Sequence, residues 1–90
     1  MIKGKTASGF AFTVDPSAVD DIEFLERLGE AGDDITKMPA IMKELLGAEQ
    51  RERMYDFLRE KESGKVRIGA AIELFQEILT IANEEREAKN

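Results

Sequence analysis

The sequence predicts a mainly α domain of four helices that begins with a short β-hairpin. Apolar residues recur at helical spacing over most of the chain after Asp15, whereas the stretch before it alternates at every second position. Glycines interrupt the helical pattern at Gly47 and Gly64, where helices are expected to end. The 90 residues contain no linker and no internal repeat, so we expect one domain over residues 1–90.

The hairpin is predicted over residues 1–14. Phe10, Phe12 and Val14 alternate with small residues, so one face of the second strand should point inward. Ser8-Gly9 provides the turn, because glycine adopts a positive φ without steric cost. A two-stranded hairpin alone is marginally stable in water, so its aromatic face should pack against helices or against a second copy.

The first helix is predicted over residues 17–29, after Pro16 breaks the strand. Ser17 or Asp20 would be its N-cap, and Gly29 would end it, with a loop following through Asp33. Its expected inward stripe, with Phe24 beside it, consists of Val19, Ile22, Leu25 and Leu28.

Two further helices, 36–47 and 48–63, are predicted to form a helical hairpin around Gly47. Pro39 falls in the first turn, where its missing N–H is tolerated. The apolar face of the first arm includes Met38, Ile41, Met42, Leu45 and Leu46, and that of the second arm includes Met54, Phe57 and Leu58.

The last helix is predicted over residues 67–87. Leu74 and Ile81 widen its apolar stripe to nearly half of the circumference, which is more than one neighbouring helix requires. Methionine-rich helix faces also occur on surfaces that bind several partners. The residues that we therefore consider as candidates for protein binding are Met38, Ile41, Met42, Leu45, Leu74 and Ile81.

Composition argues against catalysis. The chain has no histidine, which is the commonest general base and metal ligand, and no cysteine that could act as a thiol nucleophile. Its net charge of −6 argues against a basic surface for nucleic acid. The acidic clusters at Asp20-Asp21-Glu23 and Asp33-Asp34 are interpreted as helix-start residues rather than metal ligands. We expect no enzyme activity, no cofactor and no metal. The N-terminus lacks a signal-peptide core and no apolar run reaches membrane-spanning length, so the expected location is the cytoplasm.

Four motifs and their order resemble one protein family. The motifs are Gly9-Phe10-Ala11-Phe12-Thr13-Val14-Asp15, Asp20-Asp21-Ile22-Glu23-Phe24-Leu25-Glu26, Leu45-Leu46-Gly47-Ala48-Glu49-Gln50 and Gly64-Lys65-Val66. Their succession resembles the tail assembly chaperones of long-tailed bacteriophages and prophages. The terminal Lys89-Asn90 matches the family's frameshift point, beyond which a longer form continues. Ser63 and Arg67 depart from the family, which commonly has an acidic residue and a proline there.

The resemblance implies a binding protein without catalysis. Such chaperones coat the long helical tape measure protein in the host cytoplasm until tail tube subunits assemble around it, and they are absent from the finished virion. The implied partners are the tape measure protein, the major tail tube protein and further copies of the chain. An alternative is a small adaptor or regulatory domain that binds one partner helix. A helix-turn-helix DNA-binding protein is disfavoured, because Glu49, Glu52, Asp56 and Glu60 would make its recognition helix acidic.

Overall fold

The computed structural model describes residues 1–88 and confirms the mainly α fold with an N-terminal β-hairpin. Lys89 and Asn90, on which part of the family resemblance rests, lie outside the described residues. The elements in chain order are β1 (Ile2–Lys5), β2 (Ala11–Val14), α1 (Pro16–Val19), α2 (Ile22–Asp33), a 3-10 turn (Ile35–Lys37), α3 (Met38–Leu58) and α4 (Ile68–Ala88).

The hairpin forms as the alternation predicts. β1 and β2 pair antiparallel with Ile2 opposite Val14, and Gly9 makes the turn with a φ of 100°. Phe10, Phe12 and Val14 are buried, so the inward face predicted for the second strand is confirmed. This face packs mainly against α3 and α4, which supply the support that an isolated hairpin lacks.

The free edge of β2 is closed by side chains of α3 rather than by a third strand. The Gln50 carboxamide accepts a hydrogen bond from the Thr13 amide at 2.8 Å and donates one to the Thr13 carbonyl at 2.8 Å. Arg53 donates to the Ala11 carbonyl at 2.7 Å. Outward-pointing backbone groups of an edge strand otherwise invite pairing with another chain, so these contacts protect the edge.

Gly4 is packed closely between the ring of its cross-strand partner Phe12 and Ile81 of α4. A Cβ atom at this position would lie 2.5 Å from Cζ of Phe12 and 3.0 Å from Cγ2 of Ile81. We expect Gly4→Ala to lower the free energy of unfolding by about 1–2 kcal/mol through overpacking, as measured by chemical denaturation. Gly29→Ala is the matched control: it meets no atom within 4 Å on α2, so it should stabilise the protein by about 0.5–1 kcal/mol. A neutral or stabilising Gly4→Ala would contradict this close packing.

The predicted helix 17–29 is wrong in its bounds and in part of its inward face. Val19 and Leu28 pack against the core as predicted. Asp15 caps the short α1, and Asp21, rather than Ser17 or Asp20, caps α2. α2 then continues through Gly29 and Gly32 to Asp33, because neither glycine has a positive φ and both meet open space. The inner face is formed by Phe24, Leu28 and Ala31. Phe24 and Ala31 are buried.

Ile22 and Leu25 are therefore on the outside of α2, contrary to the predicted inward stripe. They are 70% and 58% exposed. Two sets of residues satisfy the helical period here, Ile22–Leu25–Leu28 and Phe24–Leu28–Ala31. The large aromatic side chain of Phe24 determines which set faces the core, since it buries more apolar area than Ile22 or Leu25.

The predicted helical hairpin is present within α3. Gly47 has non-helical dihedrals (φ 82°, ψ 160°), which divide α3 into arms of residues 38–46 and 48–58. Arg51 donates a hydrogen bond of 3.0 Å to the Pro39 carbonyl. In a straight helix these two residues would be about 18 Å apart along the axis, so the second arm folds back on the first.

The second arm ends at Leu58 rather than at Ser63. The backbone of Arg59 is extended, and residues 59–67 form a turn organised by the Glu60 side chain. Its carboxylate accepts a hydrogen bond from the Ser63 hydroxyl at 2.7 Å and forms an ion pair with Arg67 at 3.1 Å. These contacts satisfy polar groups outside the helix and provide an alternative to continuing it. Gly64, with a φ of 70°, completes the turn.

One hydrophobic cluster joins the hairpin and all four helices. Its most completely buried large side chains are Phe75, Ile2, Met54, Ile78 and Val14. α4 contributes the buried residues Ala71, Leu74, Phe75, Ile78 and Ala82. Within residues 1–88, no helix combines the length and apolar character needed to cross a membrane.

Candidate protein-binding groove

Most of the residues predicted to bind a partner are part of the core. Met38, Ile41, Met42, Leu45 and Leu74 are each less than 9% exposed, and Ile81 is half-buried beside Gly4. The surplus apolar edge expected on α4 is used internally, because Leu74 joins the core and Ile81 supports the hairpin. Met38 and Met42 also line an open apolar groove, and Ile41 lines a separate small depression beside Arg27 and Glu44.

The groove has a volume of about 380 Å³ and lies between the start of α3 and the start of α4. One wall comes from the 3-10 turn and the first arm of α3, with Ile35, Thr36, Met38, Pro39 and Met42. The other wall comes from the end of the preceding turn and from α4, with Val66, Ile68, Ala71 and Ile72. Tyr55 of the second arm completes the lining. No charged side chain is among these residues.

Two large apolar side chains stand exposed at the rims of the groove. Ile35 is 50% exposed on the α3 side, and Ile68 is 65% exposed on the α4 side. Ile35 is the first residue of the 3-10 turn, and Ile68 is the first residue of α4. Exposed apolar residues that line one continuous groove are typical of a binding surface, whereas isolated ones are ordinary.

The base of the groove is shaped by the fold-back of α3. The Tyr55 hydroxyl lies 3.9 Å from the Met42 sulfur, and the Arg51 guanidinium lies 5.6 Å from the centre of the Tyr55 ring. Arg51 also holds the Pro39 carbonyl, as described above. The guanidinium thus fixes two lining residues from opposite arms, and it lies beside the groove without entering it.

Two carboxylates stabilise the turns that carry the rims. Hydrogen bonds from the Thr36 hydroxyl and amide lower the pKa of the Asp34 carboxyl and cap the 3-10 turn that starts at Ile35. The Ser63 hydroxyl, followed by Arg67, lowers the pKa of the Glu60 carboxyl in the turn that leads to Val66 and Ile68. Both carboxylates are ionised at neutral pH, so both turns are held in place under these conditions.

Cations gather around the groove although the chain as a whole is acidic. Lys37, Arg51, Lys65 and Arg67 are each in or next to the segments that line it. Lys37 pairs with Glu30 at 3.8 Å and Arg67 pairs with Glu60 at 3.1 Å. Arg51 and Lys65 have no ion-pair partner among residues 1–88.

A second exposed apolar surface, the α2 ridge, consists of Ile22 and Leu25. It borders a shallow depression next to Leu79, Asn83 and Arg86, in the C-terminal half of α4. Several acidic residues lie near this ridge in the sequence. They are Asp20, Asp21, Glu23 and Glu26.

The mainly apolar lining of the groove is suited to binding. Among residues 1–88, no group of three His, Cys, Asp or Glu side chains is placed to hold a metal ion. The acidic clusters noted in the sequence are occupied locally, since Asp21 caps α2 and Asp34 caps the 3-10 turn. Two helical walls with apolar side chains between them form the kind of groove in which an amphipathic helix docks.

Sequence reasoning identified only part of this surface. Met38 and Met42 were recognised as candidates, whereas Ile35, Tyr55, Val66 and Ile68 were not. A usable signal for Ile35 and Ile68 is their position, since an isoleucine at the first residue of a helical element has few neighbours to cover it. Comparison of the chain with protein-family models, with curated proteins and with solved structures found no match.

Proposed function

We propose that this protein is a tail assembly chaperone of a long-tailed bacteriophage or prophage. It binds amphipathic helices of the tape measure protein in the host cytoplasm, without catalysis, and helps to recruit tail tube subunits before it leaves the assembly. The order of its four sequence motifs supports the family, and the groove supports the mode of binding. Nucleic acid and membrane are not among the proposed partners.

The observation that carries this proposal is the apolar groove with Ile35 and Ile68 exposed at its rims. A helix that lays side chains at i, i+3 or i+4 and i+7 into such a groove would cover both isoleucines and contact Met42 at the base. Met42 is unbranched and adaptable, which suits a groove that must accept successive helices of a long partner.

The acidic character of the chain is compatible with this role. A net charge of −6 keeps many copies soluble while they coat one partner, since like charges disfavour association outside the specific contact. Unlike the acidic surface of the chain, the groove is apolar and is bordered by Arg51 and Lys65. Partner binding is therefore favoured in the groove over other faces of the protein.

The proposal is tested by co-expression with any long helical protein that a neighbouring gene encodes. The wild-type chain should keep that protein soluble and co-purify with it. The double variant Ile35→Gln/Ile68→Gln should bind at least about tenfold more weakly, because two apolar contacts are lost at sites where folding depends little on them. Phe57→Gln, which changes an exposed apolar residue outside the groove, is the matched control.

Either of two results would contradict the proposal. The first is a partner whose solubility does not depend on this chain at all. The second is a groove variant that binds as tightly as Phe57→Gln while keeping its helical signal by circular dichroism. A partner that is not a tape measure protein, but is bound through the same groove, would favour the adaptor function instead.

A further inference from the structure

The two edges of the hairpin differ in how their backbone groups are satisfied. In an antiparallel pair, alternate residues direct both their N–H and their C=O group away from the partner strand. Thr13 is such a residue, since its outward amide and carbonyl bind Gln50. Lys3 lies opposite Thr13 in the register, and Lys5 lies opposite Ala11. The amides and carbonyls of Lys3 and Lys5 therefore point outward from the other edge of the sheet, which we call the β1 edge.

The β1 edge is open at both lysines. The Glu77 carboxylate accepts a hydrogen bond of 2.6 Å from the Ala7 amide, so α4 closes this side of the hairpin only beyond the end of β1. No outward amide or carbonyl of Lys3 or Lys5 has a hydrogen-bond partner within residues 1–88, and both residues are exposed. Four backbone groups thus lie in a row where another strand can pair with them.

We propose that the β1 edge binds an extended segment of a partner protein as a third strand, and that this segment carries acidic side chains opposite Lys3 and Lys5. In antiparallel addition, each lysine exchanges both of its outward backbone hydrogen bonds with one residue of the added strand. The partner binds in extended form and away from the groove, so this proposal is independent of the proposed function.

Charge determines which kind of strand is accepted. The side chains of Lys3 and Lys5 lie on the outer face of the hairpin, since Ile2 and Thr6 at the alternate positions are buried. Neither lysine has an ion-pair partner in the described part of the chain. Opposite charges on facing residues stabilise a strand pair, and like charges destabilise it. A second copy that added its own β1 antiparallel would place lysine against lysine, so an acidic segment is favoured over a second copy.

The residue between the two acidic side chains is expected to be apolar. It would lie beside Gly4 and on the inner side of the sheet, because neighbouring residues of a strand point to opposite faces. Ile81 is on this side: its Cγ2 atom would be 3.0 Å from a Cβ atom placed on Gly4, and the residue is half-buried. An apolar side chain of the added strand can extend the hydrophobic cluster through Ile81. The expected segment is therefore acidic, apolar and acidic in succession.

The test titrates the isotope-labelled full-length chain with the capped peptide Thr-Glu-Val-Glu-Thr and follows amide shifts and hydrogen exchange by NMR. We expect shift changes at Lys3, Gly4 and Lys5, slower exchange of the two lysine amides, and no change at Ile35 and Ile68 in the groove. The same peptide with an N-methyl group on each glutamate amide keeps both charges and loses two backbone donors. It should bind at least about tenfold more weakly to the same unaltered protein.

A pair of protein variants tests the contribution of charge. Lys3→Gln/Lys5→Gln should bind the peptide about threefold to tenfold more weakly, since two cross-strand ion pairs are lost while the backbone groups remain. Lys43→Gln/Lys61→Gln is the matched control, because it makes the same change in net charge at exposed lysines outside the hairpin. This control should bind the peptide as tightly as the wild type does.

The remaining results overturn the proposal. A peptide that causes no shift change in β1 at millimolar concentration, or changes confined to the groove, would exclude the β1 edge as its site. An N-methylated peptide that binds as tightly as the parent would exclude strand addition, and equal losses in the two double variants would exclude recognition by Lys3 and Lys5. Protection of these two amides that rises with protein concentration in the absence of peptide would identify a second copy as the occupant instead.

Discussion

Replacing Phe75 by alanine is expected to lower the free energy of unfolding by about 3–5 kcal/mol, the largest single effect in this protein. Phe75 is 1% exposed and belongs to the cluster that joins α4 to the hairpin and α3. The loss combines the transfer of a buried ring to water with the cavity that remains. Small domains are stable by about 5–15 kcal/mol, so such a variant would be close to unfolding.

Urea denaturation followed by circular dichroism measures this loss, and Phe57→Ala provides the control. Phe57 is 44% exposed, with its ring 5.4 Å from that of Phe10, so the same chemical change should cost markedly less there. Comparable losses at the two positions would indicate that Phe75 is not at the centre of the core.

Gln50→Glu should be the second-largest change, with a loss of about 2–3 kcal/mol at neutral pH. The Gln50 amide nitrogen donates to the carbonyls of Thr13 and Leu46, each at 2.8 Å. A carboxylate can still accept from the Thr13 amide but cannot donate, so it would face two carbonyl oxygens in a part-buried site and leave the Thr13 carbonyl at the edge of β2 without its donor. The substitution is nearly isosteric, which isolates the hydrogen-bond effect from packing.

The loss should depend on pH with a defined sign. Only the protonated form of the introduced carboxyl can donate to the two carbonyls, whereas the Thr13 amide and the Arg53 guanidinium, 3.3 Å from the Gln50 side-chain oxygen, favour the ionised form. We expect the two carbonyls to dominate in this part-buried site, so the pKa of the carboxyl should be higher in the folded state than in the unfolded state. The folded state then binds more protons, and the deficit relative to the wild type should shrink as the pH falls from about 7 toward about 4. Gln76→Glu, an exposed site on α4, should change stability by less than about 0.5 kcal/mol. A pH-independent deficit at position 50 would refute the proposed contacts.

The class of the fold was predictable because it depends on local signals. Alternation around Phe12 specifies the hairpin strand, and Gly47 interrupts the helical pattern where the backbone indeed leaves the helical region. The end of the second arm was not predictable by the same means. It depends on Glu60 bonding to Ser63 and Arg67, and these residues are otherwise compatible with a helix.

The inner face of α2 illustrates a limit of periodicity. Ile22, Leu25 and Leu28 fit a helical stripe, yet Phe24 and Ala31 occupy the core. Sequence spacing indicates which faces of the helix could be buried, and tertiary packing determines which of these faces is buried. The glycine signal fails in α2 for a related reason, since an exposed helical glycine costs only about 1 kcal/mol and packing of Phe24 and Ala31 compensates for it.

The binding surface was only partly predictable, because exposure depends on how the arms of α3 fold back. Met38 and Met42 lie on the apolar face that periodicity identifies, but most of that face is buried where α3 folds back at Gly47. The apolar surface that remains accessible consists chiefly of Ile35 and Ile68, which are the first residues of their elements. Their exposure follows from the turns organised by Asp34 and Glu60, whose role is apparent only in three dimensions.

The most direct test of the central claim maps the partner onto the protein. The isotope-labelled full-length chain is titrated with purified helical fragments of the long partner, and amide chemical shifts are followed by NMR. We expect the largest changes at Ile35, Met42, Tyr55 and Ile68, with little change at the outer face of the hairpin around Lys3. Changes that cluster on the hairpin or on the α2 ridge, with the groove unaffected, would contradict binding in the groove.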